Sequence, residues 1–114
     1  MKKKKKSSKN CTKHGELNMT TNETILKKVE KYEELTKKAL KEIKTAKGLS
    51  EKEKLIAEDY LSMAKNYFND AKYFKEKNEL LTALAAFSYA HAWLDAGVRA
   101  KIFEAKDDQL FTLP

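Results

Sequence analysis

The sequence predicts an all-α fold, an antiparallel up-down-up three-helix bundle. Three observations carry this. One Pro and three Gly in 114 residues are too little turn material for a hairpin-rich β fold. Three long stretches repeat their apolar residues at helical spacing. The connections between them, Gly48–Ser50 and Lys77–Asn78, are too short for anything but antiparallel neighbours. A length of 114 residues suits one small domain.

The first helix is expected over 23–47. Thr20 and Glu23 have the spacing of a capping box. Ile25, Val29, Tyr32, Thr36, Ala39, Ile43 and Ala46 then recur at steps of four and three, forming one seam. Gly48 follows where a helix C-terminus often has glycine. The second helix is expected over 51–77, opened by a second box, Ser50 and Glu53. Its apolar stripe is Leu55, Ile56, Tyr60, Met63, Ala64, Tyr67, Phe68, Ala71 and Phe74. Asn78, able to adopt a left-handed conformation, makes the exit.

The third helix is expected over 79–103 and differs in character. No charge occurs from Leu80 to Leu94, a run shorter than the ~18 residues that would suggest a membrane span. A helix apolar nearly all round is expected to be buried. Ala86, Ala90, Trp93, Gly97 and Ala100 form a small face, which would let one neighbour approach closely. Leu80, Leu84, Phe87, His91, Leu94, Val98 and Ile102 form a large face for the other. The bundle thus spans 19–105, with 106–114 as a C-terminal tail. Leu110 to Leu113 is apolar enough to fold back or to engage a partner.

The charge is unevenly placed. Of 24 basic and 17 acidic residues, seven lysines and no acid fall in residues 1–15, so the other 99 residues are formally neutral. Residues 1–18 read as a disordered tail. The tail could grip a phosphate backbone, but it lacks aromatics for stacking and Arg for base contacts. No apolar stretch makes it a secretory signal. A second reading takes Met19 as the true start, because the codons of Gly15-Glu16 can form a ribosome-binding-like element. The 23 lysines against the single Arg99 suggest an AT-rich genome.

Few residues offer chemistry. A single Cys11 excludes an intrachain disulfide and a Cys-only metal site, and His14 and His91 form no zinc pattern. Glu58, Asp59 and Asp70 lack the Glu-x-x-His partner of a di-iron bundle. Three scattered glycines build no phosphate loop. No metal, cofactor or membrane is therefore expected. His91, Asp95 and Arg99 lie one turn apart on an otherwise apolar stripe. They suggest a paired buried polar cluster, with Asp95 accepting from His91 or Tyr89, or the lining of a binding pocket. Asp95 could orient His91 as a general base, but no nucleophile or second carboxylate completes a site, so no catalytic residue is assigned. The aromatics Tyr60, Tyr67, Phe68, Tyr73, Phe74, Phe87, Tyr89 and Trp93 read as core, with Tyr73 the member most exposed.

Residues 67–74 (YFNDAKYF) and 83–99 (ALAAFSYAHAWLDAGVR) resemble an archaeal family of small helical proteins classed as a domain of unknown function. Its last helix carries Tyr-Ala-His-x-Trp-Leu-Asp-Ala-Gly-x-Arg, here Tyr89, Ala90, His91, Trp93, Leu94, Asp95, Ala96, Gly97 and Arg99. Ala92 and Asn78 stand where the family often has Gly. The resemblance implies a left-handed bundle similar to the albumin-binding domain fold, an archaeal cytoplasmic protein, and no assigned activity. A fainter similarity, to helical domains that accompany minimal nucleotidyltransferases, implies no ribonuclease, because His91 precedes Arg99 where the catalytic order is the reverse. The function expected is a non-enzymatic protein-interaction module, engaging a partner or a second copy. The alternative is a nucleic-acid-associated protein using the tail alone.

Overall fold

Helix α1 runs over Thr21–Glu42, α2 over Glu51–Glu76 and α3 over Leu80–Arg99. The structure, a computed structural model, describes residues 20–107, 110 and 111. The expected Lys-rich tail, 1–18, lies outside them. Both capping boxes close. Thr20 Oγ1 accepts from Glu23 N–H at 3.0 Å, while the Glu23 carboxylate accepts from Thr20 N–H at 2.8 Å. Ser50 and Glu53 repeat the exchange at 3.1 and 2.9 Å. The Thr20 N–H bond holds the Glu23 carboxyl below the usual carboxylate range, and the Ser50 N–H bond does the same for Glu53. Asn78 takes the left-handed conformation (φ 61°) between α2 and α3, as its short polar side chain allows.

Two helix ends depart from expectation. Helix α1 stops five residues short of 47. Ile43 is extended (ψ 139°), and Lys44–Thr45 forms strand β1. It pairs antiparallel with β2, Phe103–Glu104, setting Lys44 opposite Glu104 and Thr45 opposite Phe103. Ala46 N–H donates to the Ile102 carbonyl at 2.9 Å. β-Branched Ile43 and Thr45 suit this extended path, although the apolar period runs on to Ala46. Gly48 (φ 77°) serves the following turn rather than the end of α1.

Helix α3 ends at Arg99, not 103. Lys101 N–H donates to Val98 C=O and Ile102 N–H to Gly97 C=O, both at 3.1 Å. These are the two bonds of a Schellman motif, with Lys101 (φ 65°) in the position glycine usually fills.

Helix α3 packs along both α2 and α1, which touch each other only sparingly. The arrangement is an all-α three-helix bundle with a two-residue ribbon at one end. Its core falls into two clusters. Val29, Ala71, Leu80, Ala83 and Phe87 fill the end nearer the α2–α3 turn. Ala39, Ala57, Ala64, Leu94, Val98, Ile102, Phe103 and Phe111 fill the ribbon end. In α2 the buried residues are Ala57, Ala64 and Ala71, seven apart, a seam that lets α3 approach closely. Leu55, expected inside, is 66% exposed. Thr36 is fully buried and its hydroxyl donates to the Phe87 carbonyl at 3.4 Å, tying α1 to α3. Lys75 and Glu33 pair at 2.7 Å between α2 and α1.

The molecule measures 54 × 30 × 24 Å, about two helix diameters in its least dimension. A layer that thin cannot enclose α3. The expectation that α3 is buried all round is corrected: Leu81, Ala85, Ser88, Tyr89, Ala92 and Ala96 face solvent. Among the described residues no helix is long and apolar enough to cross a membrane.

Candidate interaction surface

The residues singled out in sequence, 89–99, occupy the last three turns of α3 and divide between its two flanks. Tyr89 and Trp93 turn toward α2. Trp93 meets Tyr60 edge-on at 5.0 Å, Tyr89 meets Tyr67 at 4.5 Å, and Tyr89 and Trp93 lie 6.4 Å apart. Edge-to-face geometry places the positive rim of one ring on the negative face of the next. The Trp93 indole N–H is buried without a hydrogen-bond partner.

His91 turns the other way. Its Nε2 lies 2.6 Å from the Leu110 carbonyl oxygen. A carbonyl only accepts, so Nε2 carries the proton. The ring stacks on Phe111, centroids 5.9 Å apart at 26°. Nδ1 is buried with no partner. The described part of 106–114 is therefore docked rather than trailing, with Phe111 only 4% exposed. The expected bond from His91 to Asp95 is replaced by this one.

Asp95 is half-buried and Arg99 exposed, and neither is without a partner. Of the five candidate residues, Tyr89 and Trp93 thus serve a junction to α2 and His91 one to the C-terminal segment. Gly97 has a structural reason that sequence did not show. A Cβ there would strike the Phe103 ring of β2, not a neighbouring helix as its place on the small face suggested.

Beside the aromatic junction lies a groove of about 330 Å³. Tyr67, Asp70 and Phe74 of α2 line one wall, and Thr82, Ala85, Ala86 and Tyr89 of α3 the other. Asp70 is its one charged residue. It opens beside the solvent-facing ridge of α3, where Leu81 is 68% and Tyr89 50% exposed. Tyr73, the aromatic expected outermost, is 55% exposed on α2. Sequence reasoning pointed to more apolar surface on α3 than two neighbours can cover, but it named only the two packed faces and not the residues of this ridge. The signal was the run of 15 uncharged residues.

A second, wider hollow of about 860 Å³ adjoins the ribbon and has mixed charge, with Lys44, Lys47, Lys101 and Lys106 against Glu42 and Glu104. Both carboxylates accept backbone N–H bonds, Glu104 from Lys47 and Glu42 from Lys106, each at 3.2 Å. The helices α1 and α3 both end here, and the lysines place positive charge in the hollow beside the negative ends of their dipoles. Among the described residues no group of three or more His, Cys, Asp or Glu side chains could hold a metal ion.

The model of a family described as "Protein of unknown function (DUF357)" matches residues 31–103, a span from α1 to the first residue of β2. No curated protein matches the chain, and no solved structure does.

Proposed function

The chain belongs to the DUF357 family, and from that premise we propose that it is a non-enzymatic interaction module that presents α3 and the adjoining groove to a protein partner. One observation carries the reading. In a chain that is 36% charged, the solvent-facing side of α3 bears no charge from Leu81 to Ala92. A surface with no role beyond contact with water has no need to exclude lysine and glutamate from three consecutive turns. Contiguous exposed apolar surface of this kind marks binding sites. The archaeal and cytoplasmic setting is part of the same proposal. It is supported by the Tyr89-to-Arg99 motif and by a lone cysteine, which suits a reducing compartment.

The test is affinity capture from native extract with the wild-type chain and with Leu81→Glu/Ala85→Glu. Both positions are exposed and outside the aromatic junction, so the fold is retained, as circular dichroism will verify. Partners captured by the wild type and lost by the variant are the expected result. A variant that captures the same set overturns the assignment of this surface.

The seven lysines of residues 1–15 favour a second reading, binding to nucleic acid through the tail. Salt separates the two. Phosphate contacts lose about 10³–10⁵ in affinity between low and moderate salt when six to ten are made. Apolar association does not weaken that way.

A further inference from the structure

Asp70 is a carboxylate with no cation of its own, set among aromatic rings, and we infer that the groove it lines receives an arginine side chain of a protein partner. The inference rests on the interaction-module reading and names the group by which the partner is held.

The isolation of Asp70 begins in the sequence. Its neighbours one turn away on α2 are Asn66, Tyr67, Tyr73 and Phe74, none of them basic. Across the groove α3 brings Thr82, Ala85, Ala86 and Tyr89, and no Lys or Arg occurs between Lys77 and Arg99. Asp70 takes part in no ion pair among the described residues. An otherwise lysine-rich chain thus leaves this carboxylate facing an uncharged wall.

The rings beside it lack cations as well. Lys72 Nζ lies 5.3 Å from the centre of the Phe68 ring and Lys77 Nζ 5.5 Å from that of Tyr73, so aromatic faces on α2 do attract ammonium groups. Tyr67, Phe74 and Tyr89, which line the groove, hold none among the described residues. Tyr67 and Tyr89 stand at 87°, centroids 4.5 Å apart, and so form a corner rather than a flat stack. Asp70 follows Tyr67 by three residues and precedes Phe74 by four, which sets all three on one stripe of α2.

Ring faces and a carboxylate together select a cation, and the apolar walls select which one. A lysine ammonium is compact and strongly hydrated, with three donors to satisfy. A guanidinium is weakly hydrated, stacks on aromatic rings and meets a carboxylate through two parallel N–H bonds. Its methylene stem suits the alanines opposite. A groove of about 330 Å³ stands at the small end of binding clefts, with room for a single side chain. Arginine is also among the residues that most often anchor protein interfaces.

Nuclear magnetic resonance titration of the full chain tests this. The probes are N-acetyl-arginine N-methylamide and its lysine, trimethyllysine and norleucine counterparts. The arginine probe is expected to shift the amides of Asp70, Thr82, Ala85 and Ala86 saturably, in the millimolar range. The lysine and norleucine probes should bind roughly fivefold more weakly or less. Asp70→Asn, an isosteric change at an exposed position, should keep the dichroism spectrum and weaken the arginine probe roughly tenfold.

Absent shifts, or equal ones from norleucine, overturn the cation as occupant. Lysine binding as well as arginine overturns the guanidinium, and tighter binding of trimethyllysine puts a methylated ammonium in its place. Arginine binding indifferent to Asp70→Asn overturns the part given to the carboxylate. The capture experiment separates this inference from the reading beneath it. Partners lost with Leu81→Glu/Ala85→Glu and with Asp70→Asn alike are the expected result. Partners lost with the first but kept with Asp70→Asn preserve the module reading and overturn the arginine anchor.

Discussion

A methyl group at position 97 would occupy the space of the Phe103 ring, which makes this glycine a packing residue. In a free helix Gly→Ala gains about 1 kcal/mol. Here Gly97→Ala should instead lose stability, and Gly97→Leu should cost at least the ~1–3 kcal/mol usual for overpacking. Denaturant unfolding checks both. In a Phe103→Ala background the sign should reverse and Gly97→Ala should stabilise. A higher melting temperature for Gly97→Ala in the intact chain would show that the ring does not hold the glycine in place. Phe111 is a second such residue. It is buried and stacked on His91, so Phe111→Ala should cost about 3–5 kcal/mol. Asp95 points the other way. Arg99 is exposed, so removing Asp95 leaves no buried charge behind. Asp95→Ala should then cost about 1 kcal/mol or less, the scale of surface pairs, rather than the ~3–5 kcal/mol of a stranded buried ion. A cycle with Arg99→Ala measures it.

At the scale of elements, the capping boxes give the fold an acid sensitivity. Backbone N–H bonds depress the Glu23 and Glu53 carboxyls below their unfolded values. Each therefore contributes stability that is complete above the usual carboxylate range and lost as pH falls through the lowered value. Glu53→Gln keeps the geometry, since glutamine also completes a capping box, but removes the titration. Its melting temperature should fall less steeply with acid than that of the wild type. Equal slopes would show that this carboxylate is not linked to unfolding. The starts of α1 and α2 were legible in sequence because a hydroxyl and a Glu three residues apart state their own geometry, and so was the left-handed exit of α2 at Asn78. The ends of α1 and α3 were not. At Glu42 a non-local pairing, β1 with β2, overrides a period that continues to Ala46. At Arg99 the left-handed turn is made by Lys101, where no glycine marks it.

For the whole molecule, the three-helix architecture and an excess of apolar surface on α3 followed from period, charge pattern and connection length, while the residues that form the candidate surface did not. Apolar spacing states that a residue is compatible with a core. It does not state whether the molecule has enough neighbours to supply one, and α3 has two flanks covered and a ridge left over. The same arrangement predicts unequal stability within the bundle. Helix α2 meets α3 through Ala57, Ala64 and Ala71 and through the Tyr60–Trp93 and Tyr67–Tyr89 edges. Helix α1 buries only Val29, Thr36 and Ala39, and β1 follows it directly. The sheet and α1 should therefore open together, below the free energy of global unfolding, as cooperative sub-units do. Native-state hydrogen exchange should show amides of α1 around Val29 to Ala39 at a lower opening free energy than those around Ala64 and Ala90. Tyr67→Ala supplies the decisive contrast. Tyr67 lies between α2 and α3, so its contacts survive in a form with only α1 open. The substitution should lower the opening free energy of α2 and α3 by about 1 kcal/mol or more and leave that of α1 unchanged. If α1 falls by the same amount, the three helices open as a single unit, and the sparing contact between α1 and α2 has no energetic counterpart.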